Sequence, residues 1–151
     1  MRNHIALNCS GDKNEECVKQ LRNELEKGSW ISLTAEKKET INIKQSILPI
    51  GPGVILRGGG STGKNQACLL PSSHLDLSAA ATAHWIKLQG IKPHECYIFN
   101  PLPLHHVSGL LPWWRSRCWN SKHIWITKEL MRNPNKLEEK TKYISQKNLG
   151  P

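Results

Sequence analysis

Apolar residues at Cys17, Val18, Leu21 and Leu25 recur at helical spacing, predicting a helix from Asp12 to about Lys27 with Gly28 at its C-terminal end. Its apolar stripe is a core face. Trp30 to Thr34 reads as a strand, Glu36 to Thr40 as a charged, exposed loop, and Ile47 to Gly53, with Pro49 and Pro52, as an irregular approach. Val54-Ile55-Leu56 predicts a second strand, which runs into a glycine-rich loop. Apolar or small residues at Leu75, Leu77, Ala80, Ala81, Ala83, Trp85 and Leu88 predict a helix through Gln89, capped by Ser72 or Ser73 and ended by Gly90.

Further along, Cys96 to Phe99 reads as a strand, and the prolines of Asn100-Pro101-Leu102-Pro103 force an extended turn. Val107 to Leu111 starts another helix, entered through or re-aimed by Pro112. His123 to Thr127 alternates as a strand, and Thr127 caps a short helix that ends before Pro134. From Asn135 the chain is lysine-rich, with Tyr143, Ile144 and Leu149 as its only bulky groups after Leu137. These features divide it into a folded region, 1–134, and a basic tail, 135–151, expected to be mobile or to dock only marginally. Strands alternating with helices indicate an α/β domain with a largely parallel sheet and flanking helices.

The sharpest chemical signal is the loop Leu56 to Gln66, LRGGGSTGKNQ. Glycines let successive backbone amides approach one anion, Ser61 and Thr62 add donors, and Lys64 adds a point charge. Strand, loop and helix are expected in the order that a phosphate site requires. Gly58, Gly63 and Lys64 satisfy most of the G-x-x-x-x-G-K-[ST] pattern, but Asn65 stands where a hydroxyl should reach Mg²⁺.

Gly60-Ser61-Thr62-Gly63-Lys64 resembles instead the core of the T-S-G-T-T-G-x-P-K loop of the AMP-forming adenylating enzymes, the acyl- and aryl-CoA ligases. On that alignment Gly58 and Gly59 replace Thr and Ser, Asn65 replaces Pro, and Gln66 replaces Lys, removing two hydroxyls and one cation. The later segment Asn100 to Leu111, NPLPLHHVSGLL, is similar to the L-P-L-F-H-x-x-G-L segment of the same superfamily. Its His-x-Ser-Gly-Leu version, His106 to Leu110, looks most like the o-succinylbenzoate–CoA ligases of menaquinone and phylloquinone synthesis.

The resemblance spans the region from near Gly53 to near Thr127, and it implies an incomplete piece of the large N-terminal domain of an adenylate-forming ligase. It further implies that ATP with Mg²⁺, CoA and a small carboxylic acid are the ligands. Gly59, Gly60, Ser61, Thr62, Gly63 and Lys64 would bind the phosphates, while His106, Ser108 and Gly109 would line the acyl pocket. No residue is assigned a catalytic role. The family's later ribose-binding and adenylation-lysine segments have no counterpart among these residues, so the expectation is a fragment inactive alone, to which a second chain could supply the missing parts.

Charge and cysteines refine the picture. The formal net charge is +9, and from residue 111 onward nine Lys/Arg stand against three Asp/Glu. The cluster Trp113-Trp114-Arg115-Ser116-Arg117-Cys118-Trp119 could stack bases and contact phosphates, or could equally form a helix with a buried aromatic face and a solvated basic one. Five cysteines without a C-x-x-C spacing point to reduced thiols and the cytoplasm, and the isolated histidines give no metal site. No run approaches the ~20 apolar residues of a membrane span. Three classes stay open: an acid–CoA ligase, a nucleotide-binding module without catalysis, and a basic nucleic-acid-binding protein.

Overall fold

Strand β2, Trp30–Thr34, is buried at all five positions, and the rest of the molecule is arranged around it. The computed structural model describes residues 3–9, 14–35, 41–58 and 66–147. β2 lies between two parallel neighbours, β1 (His4–Asn8) and β3 (Gly53–Gly58). An antiparallel fourth strand, β4 (Gln66–Pro71), pairs with the other side of β3, giving the order β1-β2-β3-β4. A separate two-stranded parallel sheet is formed by β5 (Tyr97–Asn100) and β6 (Lys122–Trp125). The expected α/β architecture, a largely parallel sheet with flanking helices, is therefore present, with β4 the antiparallel exception.

Alternate residues of β2 serve two different cores, as the two-residue period of a strand requires. Ile31 and Leu33 join Val54 and Leu56 of β3 in a cluster closed by three helices. Helix α1 (Asn14–Glu26) contributes Cys17, Leu21 and Leu25; α2 (Ser72–Leu88) contributes Leu75 and Ala79; α3 (Val107–Trp119) contributes Leu110, Trp113 and Trp114. Trp30 belongs to a smaller cluster with Ile55 and Leu48, against which Ile41 and Ile43 pack. The proline-bearing segment before β3 thus covers the sheet face that has no helix. Trp30 donates its indole N–H to the Pro49 carbonyl at 3.2 Å, so even the largest buried ring keeps its polar atom satisfied.

Helices α2 and α3 are tied by indole donors. The Trp114 Nε1 donates to Asp76 Oδ1 at 2.8 Å and the Trp119 Nε1 to the Ala79 carbonyl at 2.9 Å. α3 ends at Asn120, which takes a left-handed conformation (φ 54°), and the Ser121 amide donates back to the Ser116 carbonyl at 3.0 Å. Thr127 caps a one-turn helix, α4 (Lys128–Met131), by accepting from the Leu130 amide at 3.1 Å, as its sequence position predicts.

Four local features differ from the sequence expectation. β1 has no predicted counterpart; its burial pattern leaves only Leu7 buried, too weak a signal to read alone. The glycine-rich loop does not lead into a helix: it joins the two strands of a β3–β4 hairpin, and the helix begins only at Ser72. Neither serine caps α2, because the preceding position is Pro71, paired with Gly53 in the hairpin. The basic segment read as a tail forms a helix, α5 (Pro134–Lys147), none of whose residues is buried. Half-buried Leu137, Thr141, Ile144 and Ser145 share one face of it, and the Asn133 side chain accepts from the Lys136 amide at 3.1 Å.

The contact between β2 and β3 makes one position intolerant of a side chain. A Cβ at Gly53 would lie 2.4 Å from the Trp30 ring and 2.8 Å from the Leu70 carbonyl oxygen, both within the sheet's densest region. Gly53→Ala should therefore cost about 1–3 kcal/mol, the usual range for overpacking. Urea denaturation measures it; an unchanged midpoint would show that Trp30 yields without cost.

Candidate functional site

The parallel strands β2 and β3 deliver their carboxyl ends to one edge of the sheet, the usual place for ligands in open α/β folds. Thr34 and the following Ala35 leave β2 there, and Arg57 occupies the penultimate position of β3. Together with Leu33, Ile41, His105 and His106 they line a cavity of about 190 Å³. A larger cleft of about 690 Å³ shares Ala35 and His105 with it, and extends past Cys9 to Pro101–Pro103 and Trp125–Thr127.

The glycine-rich loop is anchored at this same edge. Gly58 and Gln66 face each other as the last pair of the β3–β4 hairpin, directly beyond Arg57. Gly59, Gly60, Ser61, Thr62, Gly63 and Lys64 themselves lie outside the described residues, so their anchors alone locate them. The described residues on either side of the loop belong to strands β3 and β4, and no helix begins before Ser72, so the expected helix N-terminus does not follow the loop.

The second motif is placed by a buried asparagine. Asn100, the last residue of β5, is 1% exposed. Its Oδ1 accepts from the Leu102 amide at 3.1 Å, which fixes the orientation of the side-chain amide. The Nδ2 then donates to the Gly109 carbonyl at 2.8 Å and lies 3.1 Å from His123 Nε2. The Pro101–His106 turn is thereby clasped between β5 and the first turn of α3, with the His106 amide donating to the Pro103 carbonyl at 3.2 Å. His105 and His106 emerge from this turn with ring centroids 4.2 Å apart.

The three residues assigned to the acyl pocket separate in this arrangement. His106 reaches the cavity, Ser108 is exposed on the first turn of α3, and Gly109 is buried against the turn. A Cβ at Gly109 would sit 2.1 Å from the Pro103 oxygen, so backbone approach alone accounts for the glycine. Arg57, Thr34 and Ala35 complete the cavity without having been singled out from sequence. Arg57 carried one usable signal, a cation at the carboxyl end of an apolar strand directly before the glycines.

Nucleophilic thiol chemistry does not fit the site. Cys9, the cysteine that lines the larger cleft, has its thiol pushed up to about 12 by burial, reinforced by the adjacent Cys17. Among the described residues no group of three His, Cys, Asp or Glu side chains is placed to hold a metal ion. None of the described helices is long and apolar enough to cross a membrane. Within the Trp–Arg cluster, Trp113 and Trp114 are 2% and 0% exposed and belong to the buried face of α3, while Trp119 is half-buried with its Nε1 donating to the Ala79 carbonyl.

This is an AMP-forming ligase-like fold. It is similar to o-succinylbenzoate CoA synthetase from Bacillus subtilis in complex with the acyl-adenylate intermediate OSB-AMP, with a TM-score of 0.53 and 16% identity over 89% of this chain and 47% of that one. The same enzyme in complex with AMP matches with the same TM-score, identity and coverage. The chain thus spans about half the length of these solved structures. No family model and no curated protein sequence matches it.

His123 makes the site region acid-sensitive. Burial pushes its imidazole down to about 4, and the Asn100 donor requires a bare, neutral Nε2. The unfolded chain takes up the proton near the ordinary value of 6.5, before the native one does. Its contribution to stability is therefore full above about pH 6.5 and is lost as pH falls toward about 4. Urea midpoints should drop across that window and drop less in His123→Gln; an equal slope in the two proteins would contradict this origin.

Proposed function

We propose that this polypeptide supplies the phosphate-binding loop and acyl-pocket portion of an ATP-dependent, AMP-forming acid–CoA ligase, of the kind that acts on o-succinylbenzoate in menaquinone or phylloquinone synthesis. The observation that carries the reading is the cavity at the carboxyl ends of β2 and β3, where Arg57 and the His105–His106 pair meet beside the anchors of the glycine-rich loop. The ligase-like fold supports it. On this reading the backbone amides of Gly59 to Gly63, the hydroxyls of Ser61 and Thr62, and the Lys64 ammonium hold the terminal phosphates. They offset charge that develops on the leaving pyrophosphate when a carboxylate attacks the α-phosphate. His106 lines the acyl end of the pocket, and a CoA thiol then displaces AMP. Arg57 suits the nucleotide's charge; the described residues offer no cluster for Mg²⁺, so none of these roles depends on this chain holding it. The site of action is proposed to be the cytoplasm, and residues 135–151 are assigned no part in the chemistry.

A nucleotide-binding module without catalysis is the second reading. It is favoured by Gln66, which stands where the resembling loop carries lysine and is an exposed residue at the start of β4. Both readings require the loop to bind phosphate. Lys64→Ala should weaken ATP or pyrophosphate binding by about 1–3 kcal/mol, the scale of a hydrogen bond to a charged group. Titration calorimetry at fixed Mg²⁺ reads the difference; equal affinities would remove Lys64 from the site.

A further inference from the structure

The side chain of Asn100 contacts neither cavity directly, yet it determines where both histidines stand. Its Oδ1 holds the start of the proline turn through the Leu102 amide, at 3.1 Å, and its Nδ2 holds the end through the Gly109 carbonyl, at 2.8 Å. His105 and His106 lie between these two anchors. The third anchor is His123 of β6, whose Nε2 accepts from the same Nδ2 at 3.1 Å. His123 is itself fixed by Trp125, with the rings edge-on and 4.5 Å apart. Truncating Asn100 at Cβ removes all three bonds at once and leaves the Leu102 amide, the Gly109 carbonyl and the His123 ring without this partner in a buried site.

We propose that Asn100 is the positioning residue of the acyl pocket, acting through the Pro101–His106 turn to set the His106 imidazole, with His123 serving as its fixed acceptor. The role of His106 in this inference rests on the ligase reading above. Asn100 touches no reacting atom, and its effect should fall on the acyl part of a ligand and spare the nucleotide part.

The test compares AMP with a hydrolysis-resistant benzoyl-adenylate analogue, measured by calorimetry on the 151-residue chain. Asn100→Ala should weaken the analogue about tenfold and AMP by less than about twofold. The double variant Asn100→Ala/His106→Ala should bind the analogue no more weakly than His106→Ala alone, since both changes remove one interaction. His123→Gln, whose Oε1 keeps an acceptor near the Nε2 position, should bind as the unaltered chain does, while His123→Leu should resemble Asn100→Ala. Equal losses for both ligands, or fully additive losses in the double variant, would overturn the proposal. A second readout stands apart from ligand binding: the His106 ring resonances should move in Asn100→Ala and His123→Leu and stay in place in His123→Gln. If the unaltered chain binds neither ligand, the ligase reading fails, and the resonances still decide the positioning role; unmoved resonances in Asn100→Ala would refute it.

Discussion

A strand buried on both faces and paired along both edges constrains everything around it, and β2 is such a strand. Its odd and even residues must satisfy two cores at once: Ile31 and Leu33 meet the helices, while Trp30 meets the segment that carries Ile41, Ile43 and Leu48. Slipping its register by one residue would exchange the two sets and present Trp30 to the helix layer. Gly53 guards against this arrangement loosening, because its missing side chain is the space the Trp30 ring occupies. The carboxyl end of β2 is therefore rigidly placed, and with it Thr34 and Ala35 of the cavity wall.

The described residues that flank or carry the two motifs are held by different physical means. The glycine-rich loop is suspended from a six-pair antiparallel hairpin, whose ladder fixes Gly58 against Gln66. The histidine-bearing turn is held by one buried side chain and by the close approach of Gly109 to the Pro103 carbonyl. Mutational tolerance should differ accordingly, with the hairpin distributing its hydrogen bonds over many residues while the turn concentrates them on Asn100.

Most of the architecture was legible from hydrophobic periodicity. The stripe Cys17, Leu21, Leu25 reports a helix face that is buried at those three positions, and the run Trp30 to Thr34 reports a strand buried throughout. β4 escaped because it is an edge strand with exposed Gln66, Ala67 and Cys68, so neither burial nor alternation marks it. α5 escaped because its half-buried face is built from Leu137, Thr141, Ile144 and Ser145, of which two are polar. Of the candidate site, His106 was legible through its motif, whereas Arg57, Thr34 and Ala35 come together only through strand pairing distant in sequence. Asn100 stood inside a recognised segment, but its partnership with His123, 23 residues away, could not be read from one chain without the β5–β6 pairing.

The ligase reading proposed above requires the glycine-rich loop and the histidine-bearing turn to face one nucleotide site at the carboxyl edge of the sheet. Photo-crosslinking with an ATP analogue that carries an aryl azide on its γ-phosphate, followed by peptide mapping, tests it most directly. Label is expected in peptides carrying residues 57–66 and 102–109, competed away by unlabelled ATP. Label confined to the basic surface of α5, or label that ATP does not displace, would contradict it.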